Sequence, residues 1–128
     1  MRLIIGGASQ GKLRYAKEFY NINDADIWTC EASGAAKLPR ARVIDGLHRL
    51  VRMMLEDGKD MDDIRDMLAP EAMRPDVIII CDEVGLGVVP VDTFERAYRD
   101  AVGRICCELA ETAESVERIY FGIATRIK

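Results

Sequence analysis

Gly6, Gly11 and Lys12 stand at the spacing of a phosphate-binding loop, G-x-x-x-x-G-K-[ST], within the stretch IIGGASQGKLRYA at residues 4–16. Such a loop gathers consecutive backbone N–H groups around phosphate oxygens at the start of a helix, with glycines permitting the tight turn and the close approach. Gly6, Gly7, Ala8, Ser9, Gln10, Gly11, Lys12 and Leu13 are therefore the candidate nucleotide-binding residues, and Lys12 is the candidate charge beside the β and γ phosphates. Leu13 breaks the pattern. The hydroxyl residue expected there ligates Mg²⁺, and a leucine brings no oxygen to replace it. The backbone nest and Lys12 survive the change, so nucleotide binding is expected to persist while the metal site weakens. The competing reading is a glycine-rich turn with a chance lysine.

Three carboxylates come next. Asp45 ends the short apolar run RVID and is the candidate to hold Mg²⁺ or its waters beside the phosphate loop; standing before Gly46, it could equally be a helix cap. Asp82 and Glu83 follow the run VIIIC and emerge where ligands bind at the carboxyl edge of an open parallel sheet, or else form a simple exit turn. The single histidine, His48, reads as a partly exposed helix residue beside Arg49. The four cysteines show no C-x-x-C spacing and read as small buried hydrophobes in a reducing compartment.

These residues need a scaffold. RLIIGG reads as a strand ending in a turn, and GKLRYAKEFYN as the helix after it, with Leu13, Ala16, Phe19 and Tyr20 near helical spacing. DADIWTCEA reads as a second strand and ASGAAKLPRA as a loop. A short strand ends at Asp45, and the helix after Gly46 carries Leu47, Leu50, Val51, Met54 and Leu55 on one face until about Gly58. MDDIRDMLA predicts a small helix closed by Pro70, followed by a polar connection to Pro75. DVIIICDEV is the most apolar strand, as a central parallel strand requires. A loop, GLGVVP, precedes a long helix whose apolar residues run from Phe94 to Ala113; Asp92 is its expected N-cap, with Glu95 reaching back. VERIYFGIATRIK supplies a last strand. Strands alternating with helices predict one three-layer α/β domain over residues 1–128, P-loop NTPase-like, with a mainly parallel sheet.

Composition narrows the function. With 49% apolar and 31% charged residues among 128, the chain has enough material for one core. A net charge of -4 argues against coating nucleic acid. No segment approaches the roughly 18 uninterrupted apolar residues of a membrane span, and the apolar run after Arg2 is too short for a signal peptide. The expectation is a soluble, cytoplasmic protein with no nucleic-acid or membrane partner.

The second half carries a further pattern: Asp82-Glu83-Val84-Gly85 through Gly87 to Pro90, Arg99-Asp100 with Gly103, and Gly122 with Ile127-Lys128. It resembles the bifunctional adenosylcobinamide kinase/adenosylcobinamide-phosphate guanylyltransferase family of cobalamin biosynthesis, which has N-E-V-G-x-G-x-V-P, then R-D-x-x-G-x-x-N-Q, then G-x-x-x-x-I-K. The loop GGASQGK is similar to the family's G-G-x-x-S-G-K-S, and RVIDGLHRLVRMML to its strand-helix segment. Leu13 replaces the family's serine, Asp82 its asparagine, and Ile105-Cys106-Cys107 the region of its N-Q pair. The family segment R-I-x-x-H, whose histidine receives the guanylyl group, has no counterpart in the interval EASGAAKLPRA. His48 lies on a different element and is not its equivalent.

The resemblance implies ATP or GTP as the nucleotide and phosphoryl transfer to a hydroxyl of a cobinamide-like molecule, with guanylyl transfer lost. Lys12, Asp45 and Glu83 are then the candidate catalytic residues: Lys12 at the transferring phosphate, Asp45 at the metal, Glu83 at the acceptor. The alternative is a catalytically silent nucleotide sensor or partner protein, and beyond that an interaction scaffold. A domain this short is expected to bury an open edge in a homo-oligomer.

Overall fold

The computed structural model describes residues 1–31 and 37–128. The first half of the expected loop ASGAAKLPRA, residues 32–36, lies outside them. The strands are β1 (Arg2–Gly6), β2 (Ile27–Thr29), β3 (Val43–Asp45), β4 (Ile78–Asp82), β5 (Ser115–Tyr120) and β6 (Ile123–Arg126). The helices are α1 (Lys12–Phe19), α2 (Leu47–Glu56), α3 (Met61–Ala72) and α4 (Thr93–Thr112), with one 3₁₀ turn over Asp24–Asp26. The strands form a single sheet in the order β2-β3-β4-β1-β5-β6. All neighbours pair in parallel except β5 and β6.

Alternation along the central strands sends their side chains to two cores. Leu3, Ile44, Ile79 and Cys81 face α2, α3 and α4. Ile4, Val43, Ile78, Ile80 and Ile119 face α1 through Ala16. That makes the expected three-layer α/β domain, with three helices on one face and one short helix on the other. Most of these strand residues are fully buried, which is why the VIIIC run shows no polar alternation.

Three expectations need correction. Helix α3 does not close at Pro70 but runs through it to Ala72. The proline sits in the last turn on an exposed face, so the carbonyl it leaves without a donor can meet water. The last strand is a hairpin: Phe121 and Gly122 both take positive φ, 52° and 78°, and turn the chain back as antiparallel β6. At α4 the Asp92 carboxylate accepts from the Glu95 N–H at 2.9 Å, but Glu95 does not reach back. Its side chain binds the Arg52 guanidinium instead, at 2.6 and 2.8 Å, tying α4 to α2. The reciprocal capping box occurs at α3, between Asp60 and Asp63. No helix among the described residues is long and apolar enough to cross a membrane.

Candidate phosphate site

Strand β1 ends at Gly6, where a Cβ would run into the Ile119 carbonyl oxygen of β5, so only glycine lets the chain leave the sheet there. The loop then passes through Ser9 at φ 57° and Gly11 at φ 91° before α1 begins at Lys12. Left-handed residues in such a turn aim backbone N–H groups into a shared concavity, and the first N–H groups of α1 have no intrahelical acceptor. Ala8 through Arg14, with Asp45, Arg49 and Asp82, line a cleft of about 380 Å³ over this loop. The candidate loop residues thus come together at one helix N-terminus.

Lys12 is only 6% exposed. Its Nζ donates to the Gly7 carbonyl at 2.6 Å and lies 2.7 Å from Asp82 Oδ1. Asp82 closes β4, and β4 lies directly beside β1, whereas the β3 that carries Asp45 is one strand further out. The sequence offered three carboxylates and no strand order to rank them; the order puts Asp82 on the lysine.

Asp45 nonetheless faces the same cleft. No cationic side chain among the described residues lies within ion-pair distance of it. Burial raises its pKa above the ordinary carboxylate value; Arg49 opposes that rise, and the nearby Asp82 charge adds to it. Two carboxylates beside a phosphate loop, one of them desolvated and without a cation, suit a divalent ion that keeps its phosphate ligands and waters. Leu13 adds no ligand: its side chain packs against the Ile4, Ala16 and Ile22 core.

His48 stands on α2 and is partly exposed, as expected, but it also takes part in the site. Its side chain is 13% exposed and turned into the site. Nδ1 accepts the Asp82 backbone N–H at 3.2 Å, and Nε2 stands 3.6 Å from Asp82 Oδ2. Accepting at Nδ1 places the imidazole proton on Nε2, and burial lowers the pKa of the ring, which favours this neutral form. Nothing in the sequence pattern around His48 signalled this contact, because it joins residues 34 positions apart.

Glu83 does not join the lysine. Its backbone N–H donates to the Gly6 carbonyl at 3.0 Å, but its carboxylate pairs with Arg118 of β5. Arg118 Nη2 donates to Oε2 at 3.1 Å, and Nε lies 2.9 Å from Oε1 without the alignment of a hydrogen bond. Glu83 opens instead on a second, mainly apolar cleft of about 270 Å³ with Val84, Leu86, Arg99 and Cys106. Arg99 braces the glycine-rich loop beyond it by donating to the Gly85 and Val88 carbonyls.

A family model described as "Cobinamide kinase / cobinamide phosphate guanyltransferase" matches residues 30–127, which is most of the chain and begins after the phosphate loop. The "Bifunctional adenosylcobalamin biosynthesis protein CobU" of Salmonella typhimurium LT2 is 35% identical over 68 residues, covering 52% of this chain and 38% of that protein. The protein of the same name from Escherichia coli K12 is 38% identical over 52 residues, covering 41% of this chain and 29% of its own length. The matched stretches therefore span less than two-fifths of either relative.

Proposed function

The chain belongs to the cobinamide kinase / cobinamide phosphate guanyltransferase family, and we propose from that premise that it binds ATP or GTP at residues 6–13 and phosphorylates a hydroxyl of a cobinamide-like molecule. The contact that carries this reading is Lys12 Nζ, held between the Gly7 carbonyl and Asp82 at the N-terminus of α1. There the lysine charge, the loop N–H groups and the helix dipole all favour the negative charge of phosphates.

In this reading an acceptor hydroxyl oxygen bonds to the γ phosphorus as the β–γ bridging P–O bond breaks, a nucleoside diphosphate leaves with the electron pair, and the hydroxyl proton passes to solvent. Such a transition state needs positioning and charge neutralisation more than a protein nucleophile. Lys12 neutralises the transferring group. Asp45 and Asp82 would hold Mg²⁺, which would supply neutralisation of phosphate charge. His48 fixes Asp82 through its backbone. The acceptor enters from the apolar cleft, where Glu83, held by Arg118, orients it. Guanylyl transfer is absent from the proposal because His48 is the sole histidine and is engaged by Asp82.

One observation favours a second reading, a nucleotide-binding protein without catalysis: Leu13 is built into the α1 core at the position where a metal-ligating hydroxyl is expected. Calorimetric titration with ATP and GTP, with and without Mg²⁺, separates the two. Binding that tightens with Mg²⁺, together with phosphate transfer to cobinamide, supports the kinase. Metal-indifferent binding supports the silent protein, and no binding removes both.

We also propose a homo-oligomer, because β6 is an open edge strand that carries Ile123, 71% exposed, and is followed by Ile127, 59% exposed. A strict monomer in light scattering would contradict this.

A further inference from the structure

The β5–β6 hairpin reaches the rim of the phosphate loop. Gln10 holds its tip: the side-chain Oε1 accepts the Phe121 N–H at 2.7 Å, and the backbone carbonyl accepts the Gly122 N–H at 2.9 Å. Arg14, which lines the phosphate cleft, packs so closely on the tip that a Cβ at Gly122 would lie 2.7 Å from its Nη2. The hairpin tip therefore stands directly behind two residues that line the cleft, Gln10 and Arg14.

Phe121 is an unexpected residue for that tip. The turn requires positive φ at both central positions, which asparagine or glycine adopts readily and a bulky residue does not. Burial does not offset the strain, since Phe121 is 76% exposed. Its ring is nevertheless braced: Tyr120 meets it edge to face with centroids 4.8 Å apart, and the Arg118 guanidinium lies 5.3 Å from the Tyr120 ring centroid. A strained, exposed and braced aromatic ring at the edge of a phosphate cleft is what a stacking ligand uses.

We propose that Phe121 is the platform on which the base of the bound nucleotide stacks. The inference rests on the nucleotide-binding reading and adds where the base lies. With phosphates on the N–H groups of the loop, ribose and base project over its rim, beside the backbone of Phe121 that Gln10 holds. Stacking uses the π-face that every base has, so adenine and guanine nucleotides bind with similar affinity.

The test is calorimetric titration of ATP, GTP and inorganic tripolyphosphate into the full chain and into two variants. Phe121→Asn removes the ring and keeps a residue at ease with positive φ; Phe121→Trp keeps a ring. Phe121→Asn is expected to weaken ATP and GTP roughly 5- to 100-fold while tripolyphosphate changes by less than about twofold, and Phe121→Trp to retain nucleotide affinity. Unchanged ATP affinity in Phe121→Asn overturns the platform and leaves the nucleotide reading standing. An equal loss for ATP and tripolyphosphate also overturns it, by showing that the hairpin shapes the loop instead. If neither ATP nor tripolyphosphate binds the unaltered protein, the nucleotide reading fails and the platform with it.

Discussion

Asp82 Oδ1 lies 2.7 Å from Lys12 Nζ, so the tip of β4 is fastened to the first residue of α1 across the opening of the phosphate loop. The pair is unequal: Lys12 is almost entirely out of water, while the Asp82 side chain is 22% exposed. A buried ammonium needs an anion, and in this arrangement either a carboxylate or a phosphate can supply it.

Removing the carboxylate charge tests that exchange. Asp82→Asn leaves Lys12 with neutral acceptors and no anion and is expected to destabilise the free protein by about 1–3 kcal/mol, below the full cost of a broken buried pair because Asp82 is partly solvated. Saturating ATP is expected to recover more stability in the variant than in the parent. Urea unfolding with and without nucleotide measures both effects, and an ATP-independent loss would mean that phosphate does not replace Asp82 at the lysine.

Leu13→Ser sets metal chemistry against packing. The lost contacts with the Ile4, Ala16 and Ile22 core are expected to cost about 1–2 kcal/mol, a moderate value because Leu13 is only partly buried. In exchange the new hydroxyl is expected to make nucleotide binding more dependent on Mg²⁺. Titrations at fixed ATP and rising Mg²⁺ read this directly; identical curves would mean that the metal is held without position 13.

The strands and helices were legible where burial imposes a period. Leu47, Leu50, Val51 and Met54 mark one face of α2, and Ile78 to Cys81 mark a strand covered on both sides. Local rules failed where the tertiary setting altered their cost. Pro70 did not stop α3 because its ring stands in water, and Phe121-Gly122 lacked the asparagine or aspartate that usually announces a two-residue turn. The turn between β1 and α1 could be read because it is formed by consecutive residues, Gly6 to Lys12. The partners of Lys12 could not, since β4 inserts between β1 and β3 and only strand order brings Asp82 closer than Asp45.

His48 gives the site an acid-side sensitivity. Burial lowers its pKa from 6.5, more than the nearby Asp82 charge restores, so the unfolded chain takes up a proton before the folded one does. Its contribution to stability is therefore complete above 6.5 and is lost as pH falls through that value toward the lower folded one. Protonation also removes the lone pair that accepts the Asp82 N–H. Unfolding midpoints measured from pH 8 to pH 5 are expected to fall less steeply in His48→Asn, which keeps an acceptor and cannot titrate. Parallel slopes would mean that the imidazole gains its proton as easily in the fold as outside it.

Asp45 carries the opposite sign. Because burial favours its neutral form, the folded carboxyl holds its proton more tightly than the unfolded one, whose value is near 3.8. Stability from this group is present below that value and is lost as pH rises through the raised folded pKa, so at neutral pH the fold bears the cost of an ionised, partly desolvated carboxylate. Arg49 offsets some of that cost, and the nearby Asp82 charge adds to it. Asp45→Asn is accordingly expected to raise the urea midpoint at pH 7, an advantage that disappears toward pH 3.8. The same variant is expected to weaken Mg²⁺-dependent nucleotide binding by about tenfold or more if the carboxylate holds the metal or its waters. A neutral-pH midpoint that falls would show the charge to be well satisfied without a cation, and unchanged Mg²⁺ dependence would take Asp45 out of the metal site.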